Sequence, residues 1–541
     1  MKRFKIASLA VLAMVLMPIA QTPSAQERSW RPTVVAQHGM VAAGHPLAAE
    51  AGMRILKAGG NAIDAAMATW AVQGEVEPGM TGLGADMFVL VLPREDAAKV
   101  KFINGHRLRA GRRRRSTSTN RRAAFRIEGP LSISVPGAVG GAAYAVQNYG
   151  TKPLAEVLAP AIEIAEQGFP ITRVARAGLA GGKDKLEKYP STTKIWFRNG
   201  KPLQMGDILI NPGSGAHAAD DRRAGSRRAS TKARSRRTPP PILKANGGLI
   251  TEADLARLPA RSKTPRFHVN YRGVEVYECP PNSQGFVMLE ALNILEGFDL
   301  KEMGHNSAPY LHAVTEALKL SFADRNSVRR RPEVRAEHSD EESAVEGIRG
   351  GPSSGDRSEH ARSPASRRPA IRRAITDDVT GGAAGVRRTA AGCRRRSASF
   401  DPDKILNLTT YLAVVDKDHN MVSVTSSLLS GFGSGMRGRW RRLLPQRSHA
   451  LLVARAGNVN ALQPGKRVRQ TINPALALKD GKPFVVFGTP GADHAATNAA
   501  AVLPQRRRVR DGSAAGARAA VGHQQQLPAT PTIRTTCSGS S

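Results

Sequence analysis

A threonine hydroxyl becomes a nucleophile only when a nearby group takes its proton. At Thr409 the chain itself could supply that group. Thr409-Thr410 opens the run Thr-Thr-Tyr-Leu-Ala-Val-Val-Asp-Lys-Asp-His-Asn-Met-Val-Ser-Val-Thr, at the start of a predicted β-hairpin deep inside the sequence. If the peptide bond before Thr409 is cut, the freed α-amine lies beside its own hydroxyl and can act as its base. The plainer reading is structural, because threonine is a common strand former and a strand that begins Thr-Thr is ordinary. The surrounding sequence decides between the two.

The elements that would position Thr409 are legible as periodicity. Leu412–Asp416 and Met421–Thr425 form the hairpin, joined through Lys417-Asp418-His419-Asn420. His45–Ala58 reads as a helix stopped by Gly59-Gly60. Asn61 then caps a second helix, Ala62–Val72, with Asp64 placed for a capping box. Met87–Leu92 is an all-apolar run suited to a strand buried on both faces. Ser132–Val135 alternates as a strand would, and Pro136-Gly137 turns into a helix over Ala138–Tyr149. Pro153–Glu166 is a further helix. Tyr271–Tyr277 reads as a strand, followed by a Pro280–Gly285 loop and helices over Phe286–Leu295 and Pro309–Asp324. Phe484–Gly488 is the last strand. Paired strands with interspersed helices predict an α+β fold of sheets covered by helices.

Length and composition set the outer bounds. With 541 residues the chain can bury a large core. Residues 1–25 read as a secretory signal. Lys2, Arg3 and Lys5 precede an apolar run from Ile6 to Met17, which is short for a bilayer span, and Pro23-Ser24-Ala25 suits cleavage. A periplasmic or secreted protein is expected, with a membrane anchor as the alternative. Cys279, Cys393 and Cys537 make neither a disulfide framework nor a metal site, and no cofactor is expected.

The net charge of +36 would suggest binding to nucleic acid or an anionic surface. That charge is concentrated in blocks rich in Arg, Ser, Ala, Gly and Pro, at about 107–126, 213–243, 329–403, 437–456 and 503–541. They lack periodicity and have the composition of disordered chain. Aromatics are not interleaved with the arginines, Trp440 being a lone case, so base stacking is unsupported. The blocks interrupt elements rather than fall between them. This reads as out-of-frame translation of a GC-rich gene, with natural basic insertions as the alternative.

The remaining segments converge on one family. Gly59-Gly60-Asn61-Ala62-Ile63-Asp64-Ala65-Ala66 is followed by Thr81-Gly82-Leu83-Gly84-Ala85-Asp86-Met87-Phe88, Ser134-Val135-Pro136-Gly137 and Asn246-Gly247-Gly248-Leu249-Ile250-Thr251. Tyr271-Arg272-Gly273, the Pro280–Gly285 loop, Thr409-Thr410, Pro464-Gly465-Lys466-Arg467 and Gly488-Thr489-Pro490-Gly491 complete the series in order. The chain resembles the γ-glutamyltransferases of the N-terminal nucleophile hydrolase superfamily over well over half its length. The resemblance implies an αββα sandwich made from one precursor, with a large-subunit region (30–408) and a small-subunit region (409–541) that pair after cleavage between Leu408 and Thr409. It also implies γ-glutamyl transfer from glutathione-like donors to water, an amino acid or a peptide.

The resemblance further assigns roles. Thr409 is the nucleophile, Thr425 positions it, and the backbone of Gly491-Ala492 supplies oxyanion donors. Gln470-Thr471 stands where the family has a Ser-Ser pair for the donor carboxylate. The family's donor arginine is missing from Phe102-Ile103-Asn104-Gly105, and Arg107 lies in a basic block. The family asparagine after the hairpin is replaced near Leu429-Ser430, and its acidic residue for the donor amine would fall within 437–456. A glutaryl or cephalosporin-type acylase is therefore the alternative enzyme. A buried Leu or Ile is worth about 2–5 kcal/mol against a net stability of about 5–15 kcal/mol. Polar text in place of several buried elements is accordingly expected to leave this chain poorly folded and inactive.

Overall fold

The computed structural model describes residues 34–93, 100–106, 129–211, 250–251, 254, 261–263, 267–327, 409–436, 467, 469–491 and 533–534. The architecture lies within the unit His38–Ser541. In chain order it begins β1 (Gly39–Ala43), α1 (Pro46–Lys57), α2 (Ala62–Val76), β2 (Asp86–Leu92), β3 (Lys101–Asn104), α3 (Ala138–Tyr149) and α4 (Leu154–Gln167). A small peripheral region follows, with β4 (Phe169–Pro170), α5 (Arg173–Gly181), α6 (Lys183–Leu186), α7 (Pro190–Trp196), β5 (Phe197–Arg198), β6 (Lys201–Pro202) and β7 (Ile208–Leu209). The chain continues through β8 (Arg261–Lys263), β9 (His268–Tyr271), β10 (Val274–Glu278), α8 (Phe286–Leu295) and α9 (Ala308–Ser327). The closing elements are β11 (Thr409–Asp416), β12 (Met421–Ser427), β13 (Ala475–Lys479), β14 (Lys482–Phe487) and β15 (Ile533–Arg534).

Two antiparallel sheets form the centre. The first runs β1-β11-β12-β2-β3-β8 and the second β15-β14-β13-β10-β9. Strand alternation sends successive side chains to opposite faces, and three apolar layers result. Leu412, Val414, Val422, Val424, Met87, Val89 and Val91 pack against α1–α4. Tyr411, Ala413, Val415, Phe88, Leu90 and Leu92 meet Tyr277, Leu476, Leu478 and Val486 between the sheets. Val276, Ala475, Ala477, Val485 and Phe487 pack against α8 and α9. This is the expected αββα sandwich. The central strands β2, β11 and β12 need not read as amphipathic, because both of their faces are covered.

Helix α2 ties the first helical layer to the hairpin. Asn61 Oδ1 accepts from the Ile63 and Asp64 amides at 3.0 and 3.1 Å, and Asp64 Oδ2 accepts from the Asn61 amide at 3.1 Å. This is the capping box read from the sequence. The helix runs on to Val76 rather than stopping at Val72, because nearly every one of its residues is buried. Its first amide, Ala62 N, donates to Asp416 Oδ2 at the far end of β11 (2.9 Å). Asp416 Oδ1 also accepts from the Asp418 and Asn420 amides, each at 3.0 Å, and so shapes the hairpin turn.

Three sequence expectations are corrected. Ser132–Val135 is not a strand: a short 3-10 turn over Pro130–Ser132 leads into buried, irregular backbone. Tyr271–Tyr277 is not one strand but the corner of a hairpin, since Arg272 and Gly273 adopt φ of 54° and 81° between β9 and β10. Within the block 503–541, Ile533 and Arg534 form a strand that pairs with Val486 and Val485. The other four basic blocks, the signal segment, Leu408, Arg107 and Ala492 lie outside the described residues.

Candidate active site

The hairpin register fixes the site. β11 and β12 pair so that Thr409 stands opposite Ser427, Thr410 opposite Ser426 and Tyr411 opposite Thr425. Thr409 shares the inter-sheet face with Tyr411 and Ala413. Its Oγ1 lies 3.0 Å from Ser427 Oγ, and both residues are buried. A hydroxyl partner at this distance orients the proton and lone pairs of the Thr409 hydroxyl.

Thr425 is placed differently from the expected role. It lies one step further along the same face, opposite Tyr411 and Phe88, with 1% of its surface exposed. Its Oγ1 has no hydrogen-bond partner among the described residues. The hydroxyl set against Thr409 is therefore that of Ser427. A lone serine at a strand end carries no sequence signal, and only the register reveals it.

The row continues across the sheet. Ser427 pairs in register with Asp86 at the start of β2. Asp86 Oδ2 accepts from Gln470 Nε2 at 2.8 Å, and Gln470 N donates to the Asn282 carbonyl at 2.8 Å. His106 Nε2 lies 3.3 Å from Asp86 Oδ2, with both side chains fully buried. Burial, with the Arg467 charge adding to it, pushes the His106 pKa down to about 3. At neutral pH the imidazole beside Asp86 is thus uncharged, and the contact is not an ion pair. Thr471 is buried next to Gln470. Gln470 therefore reaches the Thr409 row through Asp86.

Gly488 closes the site from the second sheet. A Cβ on Gly488 would lie 2.3 Å from Tyr411 Cε2, so the glycine lets the β14 end approach the strand that carries Thr409. Thr489 Oγ1 donates to the Pro490 carbonyl at 2.9 Å. Gly491 has φ of 142°, a conformation that favours glycine.

The reverse face of β11 is also polar at this end. Thr410 Oγ1 donates to Glu77 Oε2 at 2.8 Å and accepts from Gln73 Nε2 at 2.8 Å. Ser426 Oγ meets Trp70 Nε1 at 3.2 Å and Thr81 Oγ1 at 2.7 Å, and donates to the Asp86 carbonyl at 2.9 Å. Thr81 and Asp86 belong to the sequence run Thr81–Phe88, whereas Trp70, Gln73 and Glu77 carry no sequence signal, because each looks like an ordinary residue of a buried helix.

Residues 48–530 match the family described as gamma-glutamyltranspeptidase. The chain belongs to that family. It is 32% identical over 464 residues to the glutathione hydrolase-like YwrD proenzyme of Bacillus subtilis, covering 85% of this chain and 80% of that protein. It is 31% identical over 487 residues to the acylase ACY 1 proenzyme of a Pseudomonas species, covering 84% and 76%. Among solved structures, cephalosporin acylase from Bacillus halodurans superposes with a TM-score of 0.69 at 27% identity, covering 91% of this chain and 84% of that one. Members of the family are enzymes made as proenzymes, and their number includes both glutathione hydrolases and acylases. Among the described residues no helix is long and apolar enough to cross a membrane.

Proposed function

We propose that this chain is a self-cleaving amide acyltransferase whose nucleophile is Thr409. The carrying observation is the Thr409 hydroxyl, 3.0 Å from Ser427 Oγ at the first residue of a buried central strand. In the first reaction Thr409 Oγ1 attacks the Leu408 carbonyl carbon. The C–N bond breaks, the nitrogen becomes the free α-amine of Thr409, and water hydrolyses the resulting ester to leave a carboxylate on Leu408. The large-subunit region, 30–408, and the small-subunit region, 409–541, are then separate chains that stay paired.

In the second reaction the same hydroxyl attacks the amide carbon of a donor. An α-amine with an ordinary pKa of about 7.7–8.0 takes its proton near neutrality and passes it to the leaving amine. Backbone amides at Gly491-Ala492 serve the developing oxyanion. Water or an amino group of an amino acid or peptide then resolves the acyl-enzyme. The donor proposed is a γ-glutamyl amide such as glutathione. Release of a glutaryl or cephalosporin-type acyl group is the second reading. It is supported by the likeness to the acylase ACY 1 proenzyme, and a glutaryl group differs from a γ-glutamyl group only in lacking the α-amine. The signal-like residues Lys2 to Ala25 support export to the periplasm or medium.

Expression of the full chain followed by denaturing gel and N-terminal analysis tests this directly. The expected result is two polypeptides meeting at 408/409, with Thr409→Ala giving one. A wild-type chain that stays uncut would instead bear out the poorly folded, inactive chain expected from the basic blocks. For the cut protein, relative kcat/KM on γ-glutamyl and glutaryl anilides separates the two donor readings. Recovery only in the cytosol, with Met1 retained, would end the export proposal.

A further inference from the structure

Helix α2 and strand β11 are matched in length and fastened at both ends. From Ala62 to Glu77 a helix rises about 22 Å at 1.5 Å per residue. From Asp416 back to Thr410 a strand spans about 20 Å at 3.3 Å per residue. The two run antiparallel. At one end the Ala62 amide donates to Asp416 Oδ2 at 2.9 Å. At the other, Thr410 is held between Gln73 and Glu77, each bond 2.8 Å long. Gln73 Nε2 also reaches the Tyr411 carbonyl at 3.4 Å. Between these ends the contact is apolar, through Leu412 and Val414.

Apolar contacts between a helix and a sheet are tolerant of small slides, and directional hydrogen bonds are not. The fastening at Thr410 acts one residue from Thr409. Side chains alternate, so a grip on Thr410 from beneath fixes the backbone that carries Thr409 above. We propose that Glu77 and Gln73 are positioning residues for the N-terminal nucleophile, acting through the Thr410 hydroxyl. The inference rests on the reading of Thr409 as that nucleophile.

The bond directions add a requirement. Gln73 donates to Thr410, and Thr410 donates to Glu77, so the chain of bonds ends on an acceptor. An ionised carboxylate is acceptor-only, whereas a protonated carboxyl can donate back and compete with Gln73 for the Thr410 oxygen. Burial raises the Glu77 pKa to about 7, with the bonds from Thr410 and Gln73 opposing the rise. Glu77 is faced by Gln73 from its own helix, by Thr410 of β11 and by Gly44 from the loop between β1 and α1. No charged group of these elements contributes to the shift. The ordered arrangement therefore holds above about pH 7 and loosens below it.

Self-cleavage is the step that isolates this effect. Before the 408/409 bond breaks there is no α-amine at Thr409, so the titration of that amine cannot shape the pH profile of processing. The full chain is made and its cleavage is followed by mass spectrometry from about pH 5.5 to about pH 8.5, a range that brackets the Glu77 pKa. Wild-type processing is expected to slow as pH falls through about 7. Glu77→Gln is expected to lose that limb and process at a pH-independent rate. Thr410→Val is expected to slow processing by about 10- to 100-fold, as a small misplacement of reacting groups does, and Thr410→Ser to restore most of it.

The positioning role is overturned if Glu77→Gln keeps the wild-type limb, or if folded Thr410→Val processes at the wild-type rate. Should Thr410→Val fail to fold, as judged by circular dichroism, the near-isosteric Glu77→Gln profile decides alone. Thr409→Ala separates the two readings. Cleavage that survives it removes the nucleophile assignment itself, whereas abolished cleavage with unaltered Glu77→Gln and Thr410→Val profiles removes only the positioning role.

Discussion

At the residue scale, two hydroxyls on one strand face have different surroundings and should respond differently to removal. Ser427 Oγ lies against Thr409 Oγ1, so Ser427→Ala leaves the proposed nucleophile without that partner. Its kcat for donor hydrolysis is expected to fall by about 10-fold or more, with KM little changed, since such a hydroxyl contributes to orientation rather than to donor binding. Thr425 Oγ1 is buried without a partner among the described residues. Thr425→Val keeps its shape and removes an unsatisfied polar group, a change that is typically near neutral or stabilising. It is expected to leave kcat unchanged and to hold or raise the thermal midpoint. A larger loss of kcat in Thr425→Val than in Ser427→Ala would reverse this assignment. The place of Thr409 at the start of the hairpin is legible in the sequence because a hydroxyl pair precedes the hairpin's apolar run. Ser427 is not, because its importance comes from register, which depends on where both strands end. Asp86 stands in the sequence only as part of the run Thr81–Phe88, and His106, which follows the short strand Lys101–Asn104, carries no signal of its own; the fold alone brings the two together.

At the element scale, the legible parts are those whose boundaries are set by local chemistry. The helices Ala138–Tyr149 and Phe286–Leu295 have the bounds that the sequence predicts, and the Asn61–Asp64 capping box stands as expected. Extents were missed where burial overrides local signals: α2 continues to Val76, and the hairpin strands run on to reach Thr409 and Ser427. Lys101–Asn104 and Ala475–Lys479 are not legible in the sequence, because short strands covered on both faces carry no alternation. The close approach of β14 to β11 depends on one missing side chain. Tyr411 cannot retreat from a Cβ at position 488, being buried and tied through its hydroxyl to Ser423 Oγ at 3.0 Å. Gly488→Ala is expected to lower stability by about 1–3 kcal/mol, as overpacking does, and to slow processing at Thr409 on the same strand as Tyr411. A melting curve superimposable on wild type would show that the two sheets part more easily than the contact implies.

At the scale of the whole molecule, covering both sheets buries carboxyls as well as apolar groups, and this sets a pH dependence for stability. Glu278 ends β10 fully buried, accepting from the Cys279 amide at 3.1 Å and from Asn473 Nδ2 at 3.3 Å. Burial outweighs those bonds and raises its pKa from 4.5 to about 8. Between those two values the native chain holds a proton that the unfolded chain has lost, so stability falls as pH rises through the window. Glu77 acts in the same sense up to about pH 7. His106 opposes them: its native pKa of about 3 lies below its ordinary 6.5, so stability rises with pH between those values. Above about pH 6.5 the two carboxyls are unopposed by His106, and the thermal midpoint of the full chain is expected to decline toward pH 8. Glu278→Gln removes one of the two. Its stability relative to wild type should be flat below about pH 4.5 and rise to a gain on the order of a few kcal/mol by pH 8. A difference that does not vary with pH would mean that Glu278 is ionised in the fold. Glu77 shows why such a carboxyl can be kept: the ionised form that orders Thr410 is the form that burial penalises. Glu77→Gln is therefore expected to raise the midpoint at about pH 8 while removing the pH limb of processing, separating what serves the reaction from what serves the fold.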